Sequence, residues 1–286
     1  MHPSPVFPPD RVSVVGVLNA TPDSFSDGGR FVRGDEHVDV EAAVTAAAAL
    51  LREGAHVIDV GGESTRPGAR AVDAAVETAR AVPVIEALSK RFDAPLSIDT
   101  RKAEVAEAAI EAGASIVNDV SGLRFDPALA GVAARAGATL VLGHLRGVPE
   151  TMQDAPRFED VLDEVARDLE HSVAVARAAG VSDARLAVDP GLGFGKELAH
   201  NLALLAHPGW LRERLGLPVV VGPSRKSFLG ALTGDAAAQR DVATWAACAI
   251  AAFAGADAVR VHAPSGAARA VVVGRALRAA RQEGRA

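Results

Sequence analysis

Eight short apolar runs recur along the chain, and each stops at a polar residue or polar cluster. Val12–Leu18 stops at Asn19, and Val57–Val60 runs into Gly61-Gly62-Glu63-Ser64-Thr65-Arg66-Pro67. Leu96–Ile98 stops at Asp99-Thr100-Arg101, and Ile116-Val117 at Asn118-Asp119. Ala138–Leu142 leads to His144, Leu186–Val188 to Asp189, Val219–Val221 to Ser224-Arg225-Lys226, and Ala258-Val259 to Arg260 and His262. The runs are near-continuous Val, Ile and Leu, as parallel strands buried on both faces require. Between them lie Ala-rich segments of helical length: Val38–Glu53, Ala74–Arg91, Lys102–Ala112, Pro127–Ala136, Glu159–Ala179, Leu198–Ala206, Gln239–Ala254 and Pro264–Arg281. Several end at a glycine (Gly54, Gly113, Gly137, Gly180, Gly255), which takes a left-handed helix cap without steric strain. The pattern predicts an α/β chain of β-then-α units closing into a (β/α)₈ TIM barrel, with a doubly wound open sheet as the runner-up. Such a barrel gathers all its strand ends at one mouth, where polar groups far apart in sequence meet.

The 286 residues are 49% hydrophobic and 23% charged, enough for a large core. One domain over 11–286 is expected, preceded by a loose Pro-rich tail at 1–10 that lacks the basic and apolar regions of a secretion signal. No apolar stretch reaches the roughly 20 residues of a membrane helix, so no membrane partner is expected. The single cysteine, Cys248, sits in an Ala-rich run and reads as buried and structural; the absence of a disulfide pair fits a cytoplasmic location. A net charge of −6 argues against nucleic acid, whose affinity comes from basic surface. A small anionic ligand is compatible, because a few local cations can hold one.

The strand ends carry the chemistry. Asn19 opens a polar, turn-rich loop to Gly29 in which Phe25 is the one large apolar residue; the loop reads as a solvated turn or as a lid. The amide of Asn19 is suited to help ligate Mg²⁺. Gly61–Gly68 joins glycines, hydroxyls and Arg66, a set able to wrap an anion; Glu63 within it is read as catalytic or as a tie between loops. Asp99, Asn118 and Asp189 end three strands and suit the donor edge of a flat heterocycle. A buried network at the barrel mouth and a divalent site on the two aspartates are the alternatives. Gly191–Lys196 lacks dinucleotide-loop spacing, and Ser224–Ser227 lacks the upstream glycine of a phosphate loop. Lys226 ends a strand, where an amine must face ligand or solvent. Arg260 and His262 alternate about Val261 and share one strand face, a pairing suited to a diphosphate. His144 stays ambiguous, and the eight histidines show no zinc spacing.

Taken in order, these stretches resemble the dihydropteroate synthase family. The matching pieces are Val17–Gly29, Ile58–Gly68, Ser97–Thr100, Asn118–Val120, Asp189–Lys196, Gly222–Gly230 and Arg260–His262. The resemblance implies a (β/α)₈ enzyme of folate biosynthesis that joins p-aminobenzoate to a dihydropterin carbon and expels Mg²⁺-bound pyrophosphate. Asp99, Asn118, Asp189 and Lys226 would hold the pterin. Arg66, Arg260 and His262, with Thr65, Asn19 and Mg²⁺, would hold the diphosphate. Phe25, Thr65, Pro67, Phe194 and Ser227 would form the p-aminobenzoate pocket, where sulfonamides act in this family. Lys226, Arg260, His262 and Arg66 are the implied catalytic set, and the implied assembly is a homodimer. Three departures from the family stand out: Gly143 before the motif histidine with Leu145 after it, Ala263 where an aspartate is usual, and Ala20 for a usual valine. The competing readings are a methyltetrahydrofolate-dependent methyltransferase-type barrel and a non-catalytic pterin-binding paralogue.

Overall fold

The computed structural model describes residues 7–21, 32–33, 37–65, 68–69, 71–148 and 151–284. The barrel strands are β1 (Ser13–Asn19), β2 (Val57–Gly61), β3 (Leu96–Asp99), β4 (Ile116–Asp119), β5 (Thr139–Gly143), β6 (Leu186–Asp189), β7 (Val220–Val221) and β8 (Ala258–Val261). All pair in parallel, in the order β6-β5-β4-β3-β2-β1-β8-β7. A parallel bridge between Val188 and Val219, with Val188 N donating to Pro218 O at 2.9 Å, joins the two ends of that order. The open-sheet alternative is thereby set aside. A small antiparallel pair, Val32–Arg33 with His37–Val38, lies between β1 and the first helix.

The helices are α1 (Val40–Arg52), α2 (Ala74–Ser89), α3 (Ala103–Glu111), α4 (Ala128–Ala136), α5 (Val161–Ala178), α6 (Leu198–Ala206), α7 (Pro208–Leu215), α8 (Ser227–Thr233), α9 (Asp241–Ala254) and α10 (Pro264–Glu283). Asp39 caps α1 by accepting from Ala42 N at 3.0 Å, and Asp160 caps α5 by accepting from Leu162 N and Asp163 N. Gly255 closes α9 at φ 113°, and a Cβ there would meet Gly209 Cα at 2.7 Å, so only glycine fits. α7 and α8 are additions to the eight expected segments. α7 starts on Pro208, which is preset for a first helical turn, and α8 ends on Gly234 in the left-handed region. None of the described helices is long and apolar enough to cross a membrane.

Strand alternation sorts the barrel interior into layers. Val15, Val57, Ile116, Val141, Ala187, Val220 and Ala258 form one apolar cluster, distinct from the larger core between strands and helices. Phe7 joins that cluster at 7% exposure, so this part of the expected tail is packed: a phenyl ring gains more from burial than the short chain loses in freedom. Two positions further along the same strands the side chains turn polar: Asp59, Asn118, Asp189 and Arg260. The side-chain period of two carries each of them to the same interior face as its apolar predecessor.

Candidate active site

A cavity of about 470 Å³ opens at the C-terminal ends of the strands, a size suited to a small ligand. Asp99, Asn118, Asp189, Lys226 and Arg260 all line it. Barrel closure brings these five around one cavity. Asn19, Thr65, Phe194, Ser227 and His262 line the same cavity. Phe25, Arg66 and Pro67, also expected in the site, lie outside the described residues.

Arg260 organises the floor. Its Nε donates to Asp59 Oδ2 and its Nη2 to Asp99 Oδ2, both at 2.6 Å. Burial works against this charge, but Asp59 and Asp99 outweigh it and hold the guanidinium pKa above its ordinary value. Burial pushes the Asp99 carboxyl up to about 7, while Arg260 pulls it down. Asp99 thus takes part in a mouth network as well as facing the cavity, which joins two of the readings drawn from the sequence.

Asp189 is likewise raised by burial, opposed by the backbone N–H of Gly191, which donates to its Oδ1 at 2.7 Å, and by Lys226 and Arg260. Gly191 sits at φ 68°, and a Cβ on it would strike His144 O at 1.8 Å. The glycine-rich loop therefore serves close chain approach rather than a dinucleotide. Further along it, the Phe194 ring lies 3.8 Å under Lys226 Nζ, a cation–π contact that unites two expected substrate contacts. Among the described residues no group of three or more His, Cys, Asp or Glu side chains is arranged to hold a metal ion.

Ser224 was part of a motif but had no assigned role; its Oγ lies 2.9 Å from His262 Nδ1 and accepts from His262 N at 3.1 Å. That hydroxyl fixes the imidazole against the β7 end. The neighbouring Arg225 adopts φ 55° and forks onto Asp241 through Nε at 2.7 Å and Nη2 at 2.9 Å, anchoring the Ser-Arg-Lys loop to α9. Asp59 also escaped the sequence reading. It is a lone charge inside an apolar run, and counting two back from Gly61 along β2 would have placed it on the interior face.

Glu63 ties loops together and also lines the cavity. It accepts from Val72 N at 2.9 Å and pairs with Arg101 and Lys102, each at 3.2 Å. Burial opposes its charge, yet Arg101, Val72 and Lys102 hold its pKa below the ordinary value. His144 stands behind the cavity, 2% exposed, with Nε2 3.0 Å from Asp168 and Nδ1 2.9 Å from Lys196 Nζ. Lys196 also donates to Phe194 O at 3.0 Å, so it joins the histidine to the Phe194 loop.

Burial and the Lys196 charge lower the His144 pKa from 6.5 to about 4, against the pull of Asp168. Between those values the unfolded chain binds the extra proton. Stability is therefore full above pH 6.5 and is lost as pH falls toward 4, by about 3 kcal/mol for this group. Denaturant midpoints across that window should show the fall, and His144→Gln should flatten it. An equal slope in the variant would assign the acid loss elsewhere.

Closed barrel, polar mouth and buried acidic floor together define a heterocycle-binding barrel enzyme. The description "Pterin binding enzyme" matches residues 15–262, and this chain belongs to that family. It is 48% identical over 259 residues to the dihydropteroate synthase of Mycobacterium leprae, covering 88% of each chain. A Yersinia pestis dihydropteroate synthase in complex with a sulfonamide drug superposes with a TM-score of 0.88 at 42% identity, covering 94% of this chain and 95% of that one. The Xanthomonas albilineans enzyme in complex with 7,8-dihydropteroate superposes at 0.81 with 41% identity and the same coverage. Within the family the chain falls among the dihydropteroate synthases.

Proposed function

We propose that this chain condenses p-aminobenzoate with 6-hydroxymethyl-7,8-dihydropterin diphosphate, giving 7,8-dihydropteroate and pyrophosphate. The observation that carries the reading is the joint lining of one cavity by Asp99, Asn118, Asp189, Lys226 and Arg260. Buried carboxylates accept from the pterin ring N–H and NH₂ groups, and the Asn118 amide pairs either way. Arg260 and His262 face the leaving diphosphate and stabilise charge as it develops. The C–O bond to the pterin methylene breaks, the aniline nitrogen forms the new C–N bond, and its proton leaves to solvent. A neutral aniline needs no strong base, so no residue is assigned to remove that proton. Thr65, Phe194 and Ser227 line the cavity and are assigned to p-aminobenzoate; Phe25 and Pro67 are assigned to it from the family resemblance alone.

The donor set fits a cation delivered with substrate. Mg²⁺ keeps several waters and is commonly held by one or two protein oxygens plus substrate phosphates; Asn19 supplies a neutral oxygen on the cavity wall. Bound there, the ion supplies charge neutralisation on the leaving oxygens. Removing Mg²⁺ is expected to weaken binding of the diphosphate substrate at least tenfold while changing diphosphate-free dihydropterin binding less than twofold (roughly 1.4 kcal/mol against under 0.4). Calorimetry checks this, and equal losses would remove Asn19 from the metal's contacts.

The decisive assay supplies purified chain with both substrates and Mg²⁺ and measures dihydropteroate, with sulfonamide competition against p-aminobenzoate as control. Pterin binding without product would favour the non-catalytic reading. We assign the reaction to the cytoplasm, in keeping with the single buried cysteine. A homodimer is part of the proposal, supported by exposed Val242 and Ile250 on α9 and Val272, Val273 and Leu277 on α10. Sedimentation as a two-chain species is expected; a monomer at micromolar concentration would count against it.

A further inference from the structure

Asp59 does not line the cavity, whereas Arg260 and Asp99 do. It lies in β2 opposite Val17 of β1 and Ser97 of β3, and its side chain is 1% exposed. Its hydrogen bond to Arg260 Nε is its one side-chain hydrogen bond among the described residues, and Oδ1 has no partner there. Carboxylates that tie this fold together look different. Asp119 takes Ser121 N, Ser121 Oγ and Leu123 N, and Glu63 takes Val72 and Arg101. A buried charge devoted to a single guanidinium acts through that guanidinium.

The two carboxylates on Arg260 are not equivalent. Asp59 holds Nε from behind, and Asp99 meets Nη2 at the cavity wall. A ligand that takes Asp99 must displace Nη2, and a half-buried guanidinium stripped of every counter-ion is costly. We propose that Asp59 is a positioning residue, the permanent counter-ion of Arg260, and that Asp99 is the exchangeable one, surrendered to the pterin ring. Asp59 keeps the guanidinium seated and charged while its Nη2 end turns from Asp99 to the incoming substrate. The inference rests on the pterin reading given above. It predicts that without the Asp59 charge Arg260 clings to Asp99 and competes with the pterin.

The test is calorimetric titration of 6-hydroxymethyl-7,8-dihydropterin, without diphosphate, into the wild-type chain, Asp59→Asn, Arg260→Gln and the double variant. Asp59→Asn is expected to weaken binding about tenfold, and to add less than about twofold in the Arg260→Gln background, the non-additivity of a pair acting as a unit. Its KM for p-aminobenzoate at saturating pterin substrate should stay within about twofold, while a general structural role would move both substrates. Wild-type affinity in Asp59→Asn, or an equal loss in the Arg260→Gln background, would overturn the inference and leave the functional reading standing. Failure of the wild-type chain to bind the dihydropterin would overturn that reading and the exchange with it. If Asp59→Asn does not fold, Asp59→Ser, which leaves room for water against Nε, is read by the same criteria.

Discussion

Replacing Arg260 with alanine should lower kcat/KM about 10³-fold, close to 4 kcal/mol of transition-state stabilisation. The guanidinium is the cation that faces the cavity from β8 while neutralising two buried acids. Its loss removes charge stabilisation from the departing diphosphate. It also leaves Asp59 and Asp99 without their counter-ion, a change that breaks a buried ionic group at about 3–5 kcal/mol. The apolar layers of the barrel do not include Arg260, so the variant should still fold. Its stability should have a telling pH dependence. Without the guanidinium the Asp99 carboxyl rises further, because Arg260 is what pulls it down. An acid whose folded pKa lies above its unfolded one destabilises the fold as pH rises past the unfolded value. Relative to wild type, Arg260→Ala should therefore lose more stability at pH 8 than at pH 5. Steady-state kinetics and denaturation at the two pH values check both claims, and a wild-type rate would end the assignment of Arg260.

Lys226→Ala should lower kcat/KM about 100-fold with the fold intact. Lys226 leads into α8, and its amine rests on the Phe194 ring at the cavity. The substitution deletes a cation beside Asp189, whose charge it favours, and removes what the ring packs against. Both substrates should feel the change: the pterin through the acid, and p-aminobenzoate through the ring. Lys226→Arg should recover part of the loss, since a guanidinium also stacks on an aromatic face. A kcat/KM within about twofold of wild type in the alanine variant would exclude a substrate role for this lysine.

The strand ends were legible because two physical demands coincide there. Parallel strands need apolar residues on both faces, and a ligand at the barrel mouth needs polar ones, so each run breaks where the cavity begins. Asp99, Asn118, Asp189 and Arg260 all announce themselves by that break. Asp59 does not, because it stands inside its run and its partner is 201 positions away. No local pattern couples residues at that separation. Phe7 was obscured by the prolines around it, whose composition speaks for a free chain while one ring goes inside. The pairing of His144 with Lys196 spans 52 positions and was hidden in the same way. α7 and α8, eight and seven residues long, are too short for a helical period to register. Glu63 was readable as one of two things; its partners, distant in sequence, show the tie.

Phe7 and the seven apolar side chains around it stopper the far end of the barrel. Among the described residues, the cavity lies at the opposite end, where the strands finish. A molecule lodged against that stopper is covered by any neighbour bound nearer the rim, so ordered release is the expected outcome, checked by product-inhibition kinetics. On that expectation the queue is set by the architecture, before any chemistry sets a pace.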